Sequence, residues 1–79
     1  MSRAFVLLNC DIGTDNAVIS AINGMSGVSE AAGLSGVYDI IAKLNAESDS
    51  GISRIVTKIR SIASIRSSLT MIIAEGQND

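Results

Sequence analysis

Three groups of residues in this 79-residue chain carry functional groups at spacings that chemistry can use. The stretch SGVYD, residues 35–39, sets Gly36 and the only tyrosine, Tyr38, beside the carboxylate of Asp39. A second group, Ser67, Ser68 and Thr70, brings hydroxyls to the start of the last apolar run. The third is a pair of bases four residues apart, Arg54 and Lys58. The chemistry these suit is capture of a small zwitterion. That task needs backbone amides for a carboxylate, an acid or carbonyl for an ammonium, and one enclosing wall. Gly36 permits close backbone approach, Tyr38 can wall or hydrogen-bond the ligand, and Asp39 can take the ammonium. Ser68 and Thr70 share one strand face and add polar contacts, from a neighbouring subunit if the chain assembles. Arg54 and Lys58 repel each other by a few tenths of a kcal/mol at i, i+4, with no acid between them. An anion at that place would favour a ligand with an acidic side chain.

Each of these residues also has a purely structural reading. Gly36 serves a tight turn equally well, and Asp39 can cap a backbone amide at a strand edge or pair with a surface base. Tyr38 reads also as interface filler, Thr70 as an ordinary strand former, and Arg54 with Lys58 as a solvated helix face. Catalytic chemistry has little to draw on. The chain has no His and no Trp, no nucleophile elbow, phosphate loop or metal-ligand spacing, and GMSG at 24–27 is too weak for a nucleotide fingerprint. The sequence therefore reads as having no catalytic residue, metal or cofactor.

Composition sets the frame in which such a site must sit. A domain of this size buries only about 60–65% of its unfolded surface, yet 47% of the residues are hydrophobic and only 3% aromatic. Small domains compensate for a thin core with disulfides, metals or oligomerisation. One cysteine and no histidine leave oligomerisation. Cys10 reads as a buried small hydrophobe in a reducing compartment. Six basic against eight acidic residues give a net charge of −2, with no basic cluster or aromatic platform for nucleic acid. No apolar run approaches the roughly 20 residues of a membrane span, and no leader pattern opens the chain. These features predict a cytoplasmic protein that binds neither DNA nor membrane directly.

The elements that position the three groups follow from periodicity. AFVLLNC at 4–10 predicts a strand, DIGTDN a turn with Thr14 as a helix N-cap, and Ala17, Val18, Ala21, Ile22 and Met25 one face of a helix over 15–25. VSEAAGL at 28–34 is a weak strand, and VYDIIAKLNA a stronger one over 37–46. ESDSG then opens a second helix capped by Ser48 or Asp49, with Ile52, Ile55, Val56, Ile59 and Ile62 in one stripe and Lys58 and Arg60 matching the dipole at its end. Gly51 in the first turn costs that helix up to about 1 kcal/mol. A last strand is predicted over 65–74, and the tail EGQND as frayed. LLNC at 7–10 and KLNA at 43–46 echo each other, as do GVSE and SIRS, at a repeat of about 36 residues. Two βαβ halves of this kind give an α+β, ferredoxin-like βαββαβ unit, a four-stranded antiparallel sheet with both helices on one face. Neither alternate set of the strands at 37–46 and 65–74 is uniformly polar. The uncovered sheet face is therefore expected to pack on a second sheet, most simply by two-fold symmetry.

AFVLLN, GVSEAAGLSGVYDIIAKL and IRSSLTMII, in this element order, resemble the effector (RAM) domain of the leucine-responsive regulatory protein/AsnC (Lrp/AsnC) family. The resemblance spans nearly the whole chain. It implies a single domain over 1–79 with an ordered core of about 3–75, sheet-to-sheet dimers of the dimeric α+β barrel type, and rings of dimers, commonly octamers. It also implies amino-acid binding between dimers at Gly36, Tyr38, Asp39, Ser68 and Thr70, with Arg54 and Lys58 as selectivity residues for an acidic ligand. Full-length members begin with a helix-turn-helix domain; here Met1 lies three residues before the first strand, so the sequence is similar to stand-alone versions that sense an effector and act on a full-length relative. Two other readings stand beside it: a small dimeric α+β barrel enzyme, which the poverty in His and aromatics disfavours, and a purely structural oligomerisation module.

Overall fold

Burial alternates along the first strand with a regularity that fixes which way the sheet faces. In β1, Ser2–Cys10, Ala4, Val6, Leu8 and Cys10 are buried. The computed structural model describes residues 1–73. Within them β1 is followed by α1 (Asp15–Asn23), β2 (Val28–Gly33), β3 (Ile40–Ala46), α2 (Asp49–Arg60) and β4 (Ile65–Ile72). The strands form one antiparallel sheet in the order β2-β3-β1-β4, which is the ferredoxin-like arrangement expected.

Both helices pack on the same side. Val18 and Ile22 of α1 and Ile52, Ile55 and Ile59 of α2 join the alternate residues Ile40, Ala42 and Leu44 of β3 in the core. That core holds no buried polar or charged side chain, so its cohesion is dispersion and apolar burial alone. Cys10 belongs to it as a free, buried thiol. Ser48 caps α2 by accepting from the Gly51 amide at 3.3 Å. Thr14 occupies the N-cap position of α1 without a side-chain cap bond; its hydroxyl donates to the Asp11 carbonyl at 2.7 Å. Asn23, the last residue of α1, accepts from Ala31 N at 3.0 Å and donates to Ala31 O at 3.3 Å. That clamp occupies backbone groups of β2, the strand at one edge of the sheet.

The structure departs from the sequence expectation at element ends. β3 begins at Ile40 rather than 37, so Tyr38 and Asp39 precede the strand. α1 ends at Asn23, and Ala17 and Ala21 are exposed while Ile19 packs on the core, which rotates the buried stripe from the one predicted. Met25 and Ile62 lie past the ends of the helices yet still pack against the core. β4 closes at Ile72; Ala74 and the EGQND tail lie outside the described residues.

The expected internal repeat appears in side-chain bonds. Asn9 on β1 and Asn45 on β3 each donate to a serine on the adjoining outer strand, Ser67 at 3.2 Å and Ser29 at 3.1 Å. Both lie beside a register shift, between Asn9 and Cys10 against β4 and between Val28 and Glu30 against β3. Each half of the sheet therefore bends at an equivalent place.

Candidate functional site

The loop that joins β2 to β3 is closed by its own backbone, with Leu34 N donating to Asp39 O at 2.7 Å. Gly36 sits there at φ +139°, a conformation L side chains rarely adopt, and an added Cβ would meet nothing within 4 Å. Backbone conformation rather than crowding is what requires a glycine. Asp39 then anchors the loop to the sheet. Its amide donates to Leu8 O at 2.9 Å, and its carboxylate Oδ2 accepts from Cys10 N at 3.0 Å, next to the register shift that ends regular β1–β4 pairing. Asp39 thus does cap a backbone amide. Its other carboxylate oxygen makes no hydrogen bond among the described residues. Tyr38 is half-buried and Val37, at 85% exposure, projects from the loop.

The hydroxyls of β4 lie on the far side of β1. Leu8 pairs with Ile40 on one side and with Ser68 on the other, so Asp39 and Ser68 are two strand spacings apart, roughly 10 Å. Ser68 and Thr70 sit opposite Leu8 and Val6, whose side chains face the helices. They open onto two hollows between β4 and α2. One, of about 420 Å³, is lined by Arg60, Ile65, Arg66, Ser67 and Ser68. The other, of about 340 Å³, is lined by Ser53, Val56, Thr57, Arg60 and Thr70 with Ile52 and Ile72. Arg66 is engaged by Asp11 at 3.1 Å, an exposed pair of the kind that contributes little to stability.

Arg54 and Lys58 face elsewhere. They line a separate groove with Gly27, Asn45, Ala46 and Gly51, at the end of β3 opposite Asp39. Asn45 and Ala46 of that groove lie at the far end of β3 from Asp39, and Lys58, two residues before Arg60, points to the opposite face of α2. One chain therefore brings Ser68 and Thr70 together, holds Gly36, Tyr38 and Asp39 at the same end of the sheet across β1, and sets Arg54 and Lys58 apart.

Sequence reasoning did not single out Arg60, Ser53 or Thr57 as site residues. Their spacing of four and three residues marks one helix face, but only the docking of α2 shows that this face looks onto β4. Gly27 was also missed; an added Cβ there, at φ +91°, would overlap Ile55 Cδ1 and lie 3.2 Å from Asn45 O. Among the described residues no group of three or more His, Cys, Asp or Glu converges on a point that could hold a metal. Among the described residues no helix is long and apolar enough to cross a membrane.

A ferredoxin-like sheet with an anchored polar loop and hydroxyl-lined hollows has the form of a binding domain. Residues 3–76 match the Lrp/AsnC ligand binding domain, and the chain belongs to that family. Among solved structures, FFRP-DM1 is 31% identical with a TM-score of 0.89, the match covering 94% of this chain and 100% of that one. Escherichia coli AsnC (20% identity, TM-score 0.85, 96% of this chain and 52% of that one) has the same fold. So has a transcriptional regulator from Neisseria meningitidis solved as an L-Met complex (14% identity, TM-score 0.78, 99% and 53%). Homocitrate synthase from Saccharolobus islandicus is 30% identical over 72 residues, 90% of this chain. The chain spans only 16% of the length of such curated relatives. The family is one of ligand binding and regulation.

Proposed function

We propose that this chain is an amino-acid effector-binding, oligomer-forming regulatory module, a small-molecule sensor that acts on transcription or metabolism without binding DNA itself. The observation that carries the reading is Asp39. One carboxylate oxygen fixes the loop to β1 while the other is unengaged among the described residues, on a loop whose glycine and tyrosine offer backbone and wall to a zwitterion. Membership of a ligand-binding family supports it, as does the L-Met complex of the neisserial regulator with the same fold. The net charge of −2 argues against direct DNA contact, and the module is placed in the cytoplasm. Its partners are an amino acid, further copies of itself through the open sheet face, and a full-length regulator of the same family. Gly36, Tyr38, Asp39, Ser68 and Thr70 form the site across assembled copies.

The test is a series of thermal melts against each of the twenty amino acids. A ligand present at ten times its Kd stabilises the folded state by about 1.4 kcal/mol, which for a domain of this size raises Tm by about 6–11 °C. At least one amino acid at millimolar concentration is expected to do so. A flat series would leave the oligomerisation module as the reading, which the Asp39 to Cys10 bond also favours.

A further inference from the structure

The two hollows between α2 and β4 share one residue, Arg60, which lines both. Arg60 makes no ion pair or hydrogen bond among the described residues, whereas Arg66 beside it is compensated by Asp11. Among the described residues no acidic side chain lines either hollow. Among the described residues the groove therefore holds one uncompensated guanidinium facing hydroxyls from Ser53, Ser68 and Thr70, while the Thr57 hydroxyl already donates to Ser53 O at 2.9 Å. Those groups donate to oxygen, and the guanidinium fork fits a carboxylate bidentately.

Arg60 is not needed to close its helix. The Ser61 amide bonds the carbonyls of Thr57, Lys58 and Ile59, the Ser61 hydroxyl donates to Lys58 O at 2.6 Å, and Lys58 already supplies a cation to the last turn. The larger hollow, about 420 Å³, lies within the range of small-molecule sites, about 300–1,000 Å³. It also lies at the same end of the sheet as Asp39, while Arg54 and Lys58 line a separate groove on the other face of α2.

We infer that Arg60 is the specificity-determining base of the site, taking the side-chain carboxylate of an acidic amino acid in the hydroxyl-lined groove between α2 and β4. This rests on the amino-acid reading for the ammonium end of the ligand and goes beyond it for the side-chain end. Arg54 and Lys58, the bases that stand out in the sequence, then have no part in selectivity.

The experiment measures binding of aspartate, glutamate, glutamine and glutarate by calorimetry to the wild-type chain, Arg60→Gln, Arg60→Lys and the double variant Arg54→Gln/Lys58→Gln. Melts of the unliganded proteins confirm that each folds. Expected is a loss of at least tenfold in aspartate or glutamate affinity in Arg60→Gln, partial recovery in Arg60→Lys, unchanged glutamine binding throughout, and no effect of the double variant. A helix-capping role for Arg60 would not move the ratio of glutamate to glutamine. Acidic-ligand affinity that survives Arg60→Gln, or that falls instead in the double variant, overturns the assignment and leaves the amino-acid reading intact. Glutarate binding as well as glutamate, and through Arg60, upholds the anion site and removes the amino-acid reading. Binding of none of the four by the wild-type chain overturns the assignment.

Discussion

Asp39 does two things with one side chain, and substitution can separate them. Its Oδ2 accepts from Cys10 N, and a hydrogen bond to a charged group is typically worth about 1.5–3 kcal/mol; half-exposure puts this one toward the lower end. Asp39→Ala is expected to lower Tm by about 4–8 °C per kcal/mol lost. Asp39→Asn keeps an oxygen acceptor for that amide but gives up the charge that an ammonium needs. It should melt close to the wild type and lose amino-acid binding, measured by the same ligand melts. If Asp39→Asn binds as the wild type does, the carboxylate is a cap and nothing more. The sequence showed the capping and binding roles as alternatives and could not join them, because the amide it caps is 29 residues away. Arg60 illustrates the same limit from the other side. Its charge was legible as a match to the helix dipole, but the groove it faces exists only once β4 is laid beside α2.

Element type was legible wherever periodicity was strong, and element ends were not. The Ile stripe of α2 and the apolar run of β1 reappear in the buried core, and the 36-residue echo reappears as the Asn9 to Ser67 and Asn45 to Ser29 bonds. β3 starts late because Gly36 at φ +139° and the Leu34 to Asp39 bond turn the chain before the strand can begin. Propensity cannot see that closure, and Val37 and Tyr38 look like good strand residues. Gly51 looked like a helix defect; its Cβ would come within 2.9 Å of Ala46 Cβ, so a glycine there lets the start of α2 meet the end of β3. Gly27 is the stronger case. Gly27→Ala is expected to destabilise the fold by about 1–3 kcal/mol of backbone strain and by a comparable amount from overpacking against Ile55. The double variant Gly27→Ala/Ile55→Val, which removes Cδ1, should recover the packing part alone. Denaturant midpoints measure both; a Gly27→Ala variant as stable as the wild type would mean that α2 is not held against this turn.

At the scale of the molecule, the side of the sheet away from the helices decides the state of assembly. Pairing puts Phe5 and Leu7 beside Met71 and Leu69, and Leu7 beside Ile41, while the residues alternating with them face the core. Leu69 and Met71 are 45% and 43% exposed, so the middle of this face is an apolar patch across three adjacent strands, flanked by Lys43 beside Phe5. An apolar patch of that kind on a small domain marks an interface. A standard interface takes about 800 Å² per partner, roughly a sixth of the 4925 Å² the chain exposes, which one sheet face of a four-stranded domain can supply. The mixed alternation of β4 announced a two-sided sheet, but the identity of the second layer is not encoded in any one strand, since a partner copy and an unrelated chain bury the same residues. We expect the 8.2 kDa chain to scatter light as a dimer or larger, with a Tm that rises with concentration as mass action requires. Leu69→Glu places a charge at the centre of the patch, where self-pairing would bury it against its own copy. It should shift the mass toward the monomer and remove the concentration dependence of Tm, while Ser20→Glu at an exposed position of α1 should do neither. A monomeric wild-type chain, or a Leu69→Glu variant that assembles unchanged, would separate this face from oligomerisation, and with it the premise that the Asp39 loop of one copy meets the β4 hydroxyls of another.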